Sequence, residues 1–268
     1  MTRSFVSEWV KLRRRGMLVA TLLVIGIAAL VVGLRIATAP SSPSPQGQHN
    51  GLFSAGDLTT HLLGQADGFA RALGSVSTFV GAVVLSIFAF AVASEFSEAT
   101  LRNLLVREPR RLRLMAGKLV ALATFDLAAI LAAALVSLAA ATLAAHLAGV
   151  DSSTWFTGTG VGETAKGVGE LFVSSLGWGL LGALLGLLLR SPAFAIAAGL
   201  AYALPLENLL LRVWSGGDRW LPGQLLNALA SGGTTSASFT RAVLLITVYA
   251  TAGLIAAAAT FTRRDVTV

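Results

Sequence analysis

Two carboxylates interrupt long apolar stretches of this chain: Asp126, within residues 119–149, and Glu207, two residues after Pro205. An ionisable group in such a setting is costly and is a functional candidate by default, here for a substrate or proton path. Structural hydrogen bonding is the competing reading for both, with a kinked backbone and Asn208 available to Glu207. Asp126 follows Lys118 by eight residues, about 12 Å along a helix, which keeps it within reach of water at the membrane face. No other residues have the spacing for catalysis. The chain has no cysteine, and His49, His61 and His146 are too scattered to form a metal-ligand set. Gly117-Lys118 is followed by Leu119 and lacks the earlier glycine of a phosphate-binding loop, so no known ATP site is present. Ser174 and Ser175 with His146 match no recognised nucleophile motif. The chain by itself is not expected to be an enzyme, to bind a metal or to hold a cofactor directly.

The elements that must position these acids follow from composition. Of 268 residues, 55% are hydrophobic and 12% charged, with a mean hydropathy of +0.76. Soluble domains carry about 25% charged residues, so a disordered chain is excluded and an ordinary soluble domain disfavoured. The net charge of +7 would suggest nucleic acid in a soluble protein. In a membrane protein, basic residues instead set topology, and no nucleic-acid partner is expected. A span needs roughly 20 apolar residues. Six stretches qualify, at about residues 16–37, 72–93, 119–149, 170–189, 193–211 and 242–261, which predicts an all-α polytopic fold with residues 1–268 as a single transmembrane domain. Arg35 lies near the end of the first span, where it can snorkel outward. That span exceeds the apolar core of a signal peptide, and Ala37-Thr38-Ala39 is the nearest approach to a cleavage site. Arg190-Ser191-Pro192 predicts a tight turn between spans four and five. Gly179, Gly182 and Gly186 predict close helix packing.

Fourteen of the 20 Lys and Arg residues fall in one set of alternating loops and termini. By the positive-inside rule this predicts that both termini are cytoplasmic. The cytoplasmic pieces are then too short to fold alone. On the other side lie about residues 38–71, 150–169 and 212–241, the first opening with a Pro- and Ser-rich linker. No repeat relates the two halves, against the inverted-repeat design of many secondary transporters. Arg outnumbers Lys by 17 to 3, which points to a high-GC bacterial source.

Two segments flank the spans with amphipathic patterns. In residues 1–15, Phe5, Trp9 and Leu12 recur at helical spacing, with Lys11, Arg13, Arg14 and Arg15 on the remainder. This suits a helix lying in the membrane interface, a plain basic anchor being the alternative. In residues 94–118, Phe96, Leu101, Leu104 and Leu105 form one side of a short helix ended by Pro109. Glu95 and Glu98 on a membrane face that otherwise carries Arg and Lys suit docking to a protein partner; a solvated loop is the alternative.

The layout of basic tail, span, outer loop and span, then Glu95-Phe96-x-x-Ala99-Thr100-Leu101-Arg102, Pro109-Arg110-Arg111 and Gly117-Lys118, resembles the permease subunit of a type-2 ATP-binding-cassette exporter. The resemblance implies that the tail is an interfacial elbow helix and that residues 94–118 carry the coupling helix seated on a separate ATPase subunit. Glu95, Phe96, Glu98, Thr100, Leu101 and Arg102 would then lie at or near that contact. ATP and Mg would be bound by the partner ATPase, and a second permease chain, identical or similar, would complete the exporter. The bacterial cytoplasmic membrane is the implied location. The family also places a segment that dips partly into the membrane between spans five and six; Trp220–Leu229 is apolar enough for this and too short to span. Spans lined by Ala, Leu, Val and Gly favour a lipid, hydrophobic drug or peptide as substrate. The alternatives are an ion-coupled transporter using Asp126 and Glu207, and a membrane scaffold or immunity protein. An intramembrane serine protease is the least supported, lacking its motif.

Overall fold

The computed structural model describes residues 15–42, 58–97 and 111–263, and they are almost entirely helical. In chain order the helices are α1 (Arg15–Ala37), α2 (Thr60–Leu63), α3 (Gly68–Gly74), α4 (Ser77–Ser97), α5 (Arg111–Ala148), α6 (Gly158–Leu189), α7 (Pro192–Ala201), α8 (Glu207–Val213), α9 (Pro222–Ala230) and α10 (Phe239–Arg263). Among the described residues, six runs are long and apolar enough to cross a membrane: Leu18–Ala37, Ser77–Glu95, Ala116–Ala148, Gly158–Leu189, Pro192–Val213 and Phe239–Ala256. The protein is a multi-pass, all-α membrane protein.

The chain forms two compact units. One comprises the described residues up to Val80 together with Leu112–Val173; the other comprises those of Gly81–Arg111 and Ser174–Val268. In the first, Val32 and Ile36 of α1 and Ala141, Ala144 and Ala145 of α5 bury against Leu63, Phe69 and Trp155. The short α2 and α3 are held by side chains distant in sequence. The Trp155 indole N–H donates to the Leu63 carbonyl at 2.8 Å, and the Thr154 hydroxyl donates to the Gly64 carbonyl at 3.0 Å. Beside them the Ser153 N–H donates to Asp151, which holds that carboxyl below the usual carboxylate range.

Helix α6 starts at Gly158, twelve residues before the expected fourth span. Its glycine-rich opening is helical because Thr157 caps it, accepting from the Gly160 N–H at 3.1 Å. Farther along, Lys166 lies 3.7 Å from Glu163 and 4.0 Å from Glu170, at the spacings that join side chains on one helix face. The expected second span also divides. Helix α3 ends at Gly74, and α4 begins at Ser77.

In the second unit, α4 and α6 approach at glycine. A Cβ at Gly182 would overlap the Leu85 backbone, and one at Gly186 would lie 2.7 Å from the Ala89 carbonyl oxygen. Small residues let the backbones meet, which in an apolar solvent supplies the dispersion that drives helix association. The turn after α6 places Arg190 at φ 52° and Ser191 in an extended conformation ahead of Pro192. The fifth span is helical in two pieces: α7 and α8 are joined by a π turn over Tyr202–Leu206 that contains Pro205. Proline has no N–H to donate and crowds the carbonyl four residues back, so the widened turn absorbs the defect.

Candidate functional site

Helix α9 is the short apolar segment between the last two spans. Nine residues rise only about 14 Å, yet Leu225, Leu226 and Leu229 are fully buried among Trp178, Leu85 and residues of α10. Burial of so short a helix leaves its unpaired N-terminal N–H groups needing partners. Glu207 is one such partner. The Gly223 N–H, at the second position of α9, donates to Glu207 Oε2 at 3.1 Å. Pro222 ahead of it costs nothing, because its missing N–H would be unpaired anyway.

Glycine is required at 223 by space. A Cβ would overlap the Glu207 carboxylate, which is 1% exposed. Tyr202, in the π turn, and Gln224 flank the same carboxylate. Neither Glu207 Oε1 nor the Tyr202 hydroxyl closes a hydrogen bond of good geometry with a described group. Midway along α9 the Ser174 hydroxyl of α6 donates to the Leu226 carbonyl at 2.8 Å. Just before α9, the Tyr249 hydroxyl of α10 donates to the Trp220 carbonyl at 3.0 Å. Thus α6, α8 and α10 each hold this one segment by a polar contact.

Asn208 does not serve Glu207 as the sequence suggests. Its side-chain amide donates to the Leu204 carbonyl in the widened turn, while the Gly223 N–H donates to the acid. Residues 207 and 223 are 16 apart and on different helices, so no local spacing announces the pair. Glu207 and the apolar run Trp220–Leu229 are each marked in the sequence, but nothing there joins them.

Asp126 is also buried, at 5% exposure, and belongs to the first unit; Glu207 belongs to the second. Of the loop acids, Glu95 closes α4 and is 4% exposed. The helical backbone of Phe96 is described, whereas Glu98, Thr100, Leu101 and Arg102 lie outside the described residues. So do Phe5, Trp9, Lys11, Arg13 and Arg14 of the basic tail; Arg15 begins α1 and is exposed. Among the described residues no group of three His, Asp or Glu side chains could hold a metal ion. Chemically, the Glu207 cluster offers a buried acid beside a phenol and the Gln224 amide, set against a helix N-terminus.

Residues 68–267 match the family model of DUF2705, proteins of unknown function. The chain belongs to the DUF2705 family. No curated protein and no solved structure matches it. The DUF2705 match begins at the start of α3, so it takes in Glu95, Asp126, Glu207 and the whole of α9.

Proposed function

We propose that this DUF2705 protein is the membrane-spanning permease subunit of an ATP-driven cassette exporter. Residues 94–118 would carry the coupling helix that docks on a separate ATPase, which binds ATP and Mg. The observation that carries the reading is the segment Glu95-Phe96-x-x-Ala99-Thr100-Leu101-Arg102, directly at the end of the second apolar helix. Six spans and the absence of a phosphate loop in the sequence fit a subunit that takes its energy from another polypeptide. The path would form with a second permease chain and pass a hydrophobic or amphipathic substrate, with residues 1–15 as the elbow helix at the bacterial cytoplasmic membrane.

In this reading Glu95, Phe96, Glu98, Thr100, Leu101 and Arg102 lie at or near the ATPase contact. Loss of a packed leucine or a desolvated ion pair at an interface costs about 2–5 kcal/mol, a weakening of roughly 30- to 5,000-fold. Leu101→Asp and Glu98→Lys are therefore expected to abolish co-purification of a co-expressed cassette ATPase partner, or to leave ATP hydrolysis running without export. Retention of both association and coupled export in both variants would refute the docking role.

The bias of Lys and Arg orients both termini and residues 94–118 toward the cytoplasm in this reading. The cysteine-free sequence makes the check direct. Ser97→Cys is expected to resist a membrane-impermeant thiol reagent in intact cells and to react after lysis; labelling in intact cells would reverse the topology.

An ion-coupled transporter is the second reading, favoured by the burial of Asp126 and Glu207 within spans. It expects transport to follow an ion gradient without any ATPase subunit.

A further inference from the structure

The fifth span runs 22 residues from Pro192 to Val213, about 33 Å at helical rise, so its last turn falls at headgroup level. Arg212 is the penultimate residue of that span, and Arg219 follows in the short turn that leads to α9. Arg241 is the third residue of α10, and its guanidinium carbon lies 5.2 Å from the centroid of the Trp220 ring. Trp220 is itself tied to α10 through Tyr249. Arg219, Trp220 and Arg241 thus cluster at the start of the sixth span, and Arg212 and Trp214 lie where the fifth ends.

Their charge is unspent. Arg71 is bound to Asp67 at 2.6 Å, whereas Arg212, Arg219 and Arg241 form no ion pair among the described residues. Asp218 is the single acid in the segment, which leaves a net charge of two. One turn inward, the same helix faces become apolar and open. Leu209 precedes Arg212 by three residues, Leu244 and Val248 follow Arg241 by three and seven, and all three are more than half exposed. A basic, tryptophan-bearing rim above bare aliphatic surface matches one kind of partner: phosphate above acyl chain.

We propose that residues 212–220 and Arg241 form a binding surface for an anionic phospholipid, its phosphate on the arginines and its chains along Leu209, Leu244 and Val248. Arginine suits phosphate through its planar fork of donors. The tryptophans prefer the headgroup level, which fixes the depth at which the arginines act. The inference requires only that the chain crosses a membrane, so it stands apart from any ATPase partner.

Native mass spectrometry of the full chain tests it, with the protein released from micelles holding equal phosphatidylglycerol and phosphatidylcholine. The parent is expected to retain phosphatidylglycerol preferentially. Each arginine near a lipid surface contributes about fivefold in affinity, so the combined Arg212→Gln, Arg219→Gln, Arg241→Gln variant is expected to bind on the order of a hundredfold more weakly. Millimolar inorganic phosphate should not displace the lipid. No preference for phosphatidylglycerol, equal retention by the variant, or displacement by phosphate would each overturn the proposal. If the triple variant misfolds, Arg212→Gln and Arg219→Gln are read singly; both side chains are exposed, and each should still lose about fivefold.

Discussion

Gly182→Val is expected to eliminate monodisperse, folded protein from detergent extracts. The new side chain would enter space held by the Leu85 backbone of α4, where even a Cβ overlaps the carbonyl group. Overpacking against movable side chains costs about 1–3 kcal/mol. Here the obstacle is main chain inside a helix, so α4 and α6 must part and forfeit the packing along Gly182 and Gly186. The loss is expected to exceed about 3 kcal/mol, a large share of the roughly 5–15 kcal/mol that holds a domain together. Gly169→Ala on the same helix is the control, because a Cβ there meets nothing within 4 Å. It should be neutral or stabilise by up to about 1 kcal/mol through helix propensity. Thermal unfolding in one detergent separates the two outcomes, and equal melting of the Gly182→Val protein and its parent would show that the approach of α4 and α6 is not what it holds.

Glu207→Ala is expected to loosen α9 without unfolding the rest. Removing the carboxyl group strands the buried Gly223 N–H, at a cost of about 1–3 kcal/mol. Amide exchange over residues 222–230 should rise by roughly 5- to 150-fold if local opening carries it. Glu207→Gln keeps an oxygen for that N–H and should raise exchange far less. Unchanged exchange in both variants would mean that the apolar packing of Leu225, Leu226 and Leu229 alone secures the segment. The same pair of variants weighs the two transport readings. If Glu207→Gln protects α9 as the parent does, leaves the ATPase bound and still abolishes transport, the carboxylate meets a proton or substrate, and the ion-coupled reading gains.

The number of spans and the all-helical class were legible because a bilayer imposes one length and one chemistry on every crossing. Val, Leu and Ala in runs of twenty can satisfy their backbone groups in hydrocarbon only as helices. The turn at Arg190-Ser191-Pro192 and the break at Pro205 were legible for a local reason: proline acts on its own chain neighbours. The glycines of α6 were recognisable as packing residues too, though their partners were not. Nothing in Gly182 names Leu85.

What the chain determined by itself is therefore whatever depends on solvent and on neighbours a turn or less away: six spans, their breaks, and the two acids placed among apolar residues. Only the tertiary structure decided which distant elements are tied together by hydrogen bonds. The Glu207–Gly223 contact, the Ser174 hold on α9 and the Trp155–Leu63 bond join residues 16 to 92 positions apart. The start of α6 belongs partly to each category, since Thr157 caps it locally while a run of glycines argues against a helix. Hydropathy is a property of composition, whereas a hydrogen bond between elements depends on where packing brings two backbones together, and no residue carries that information alone.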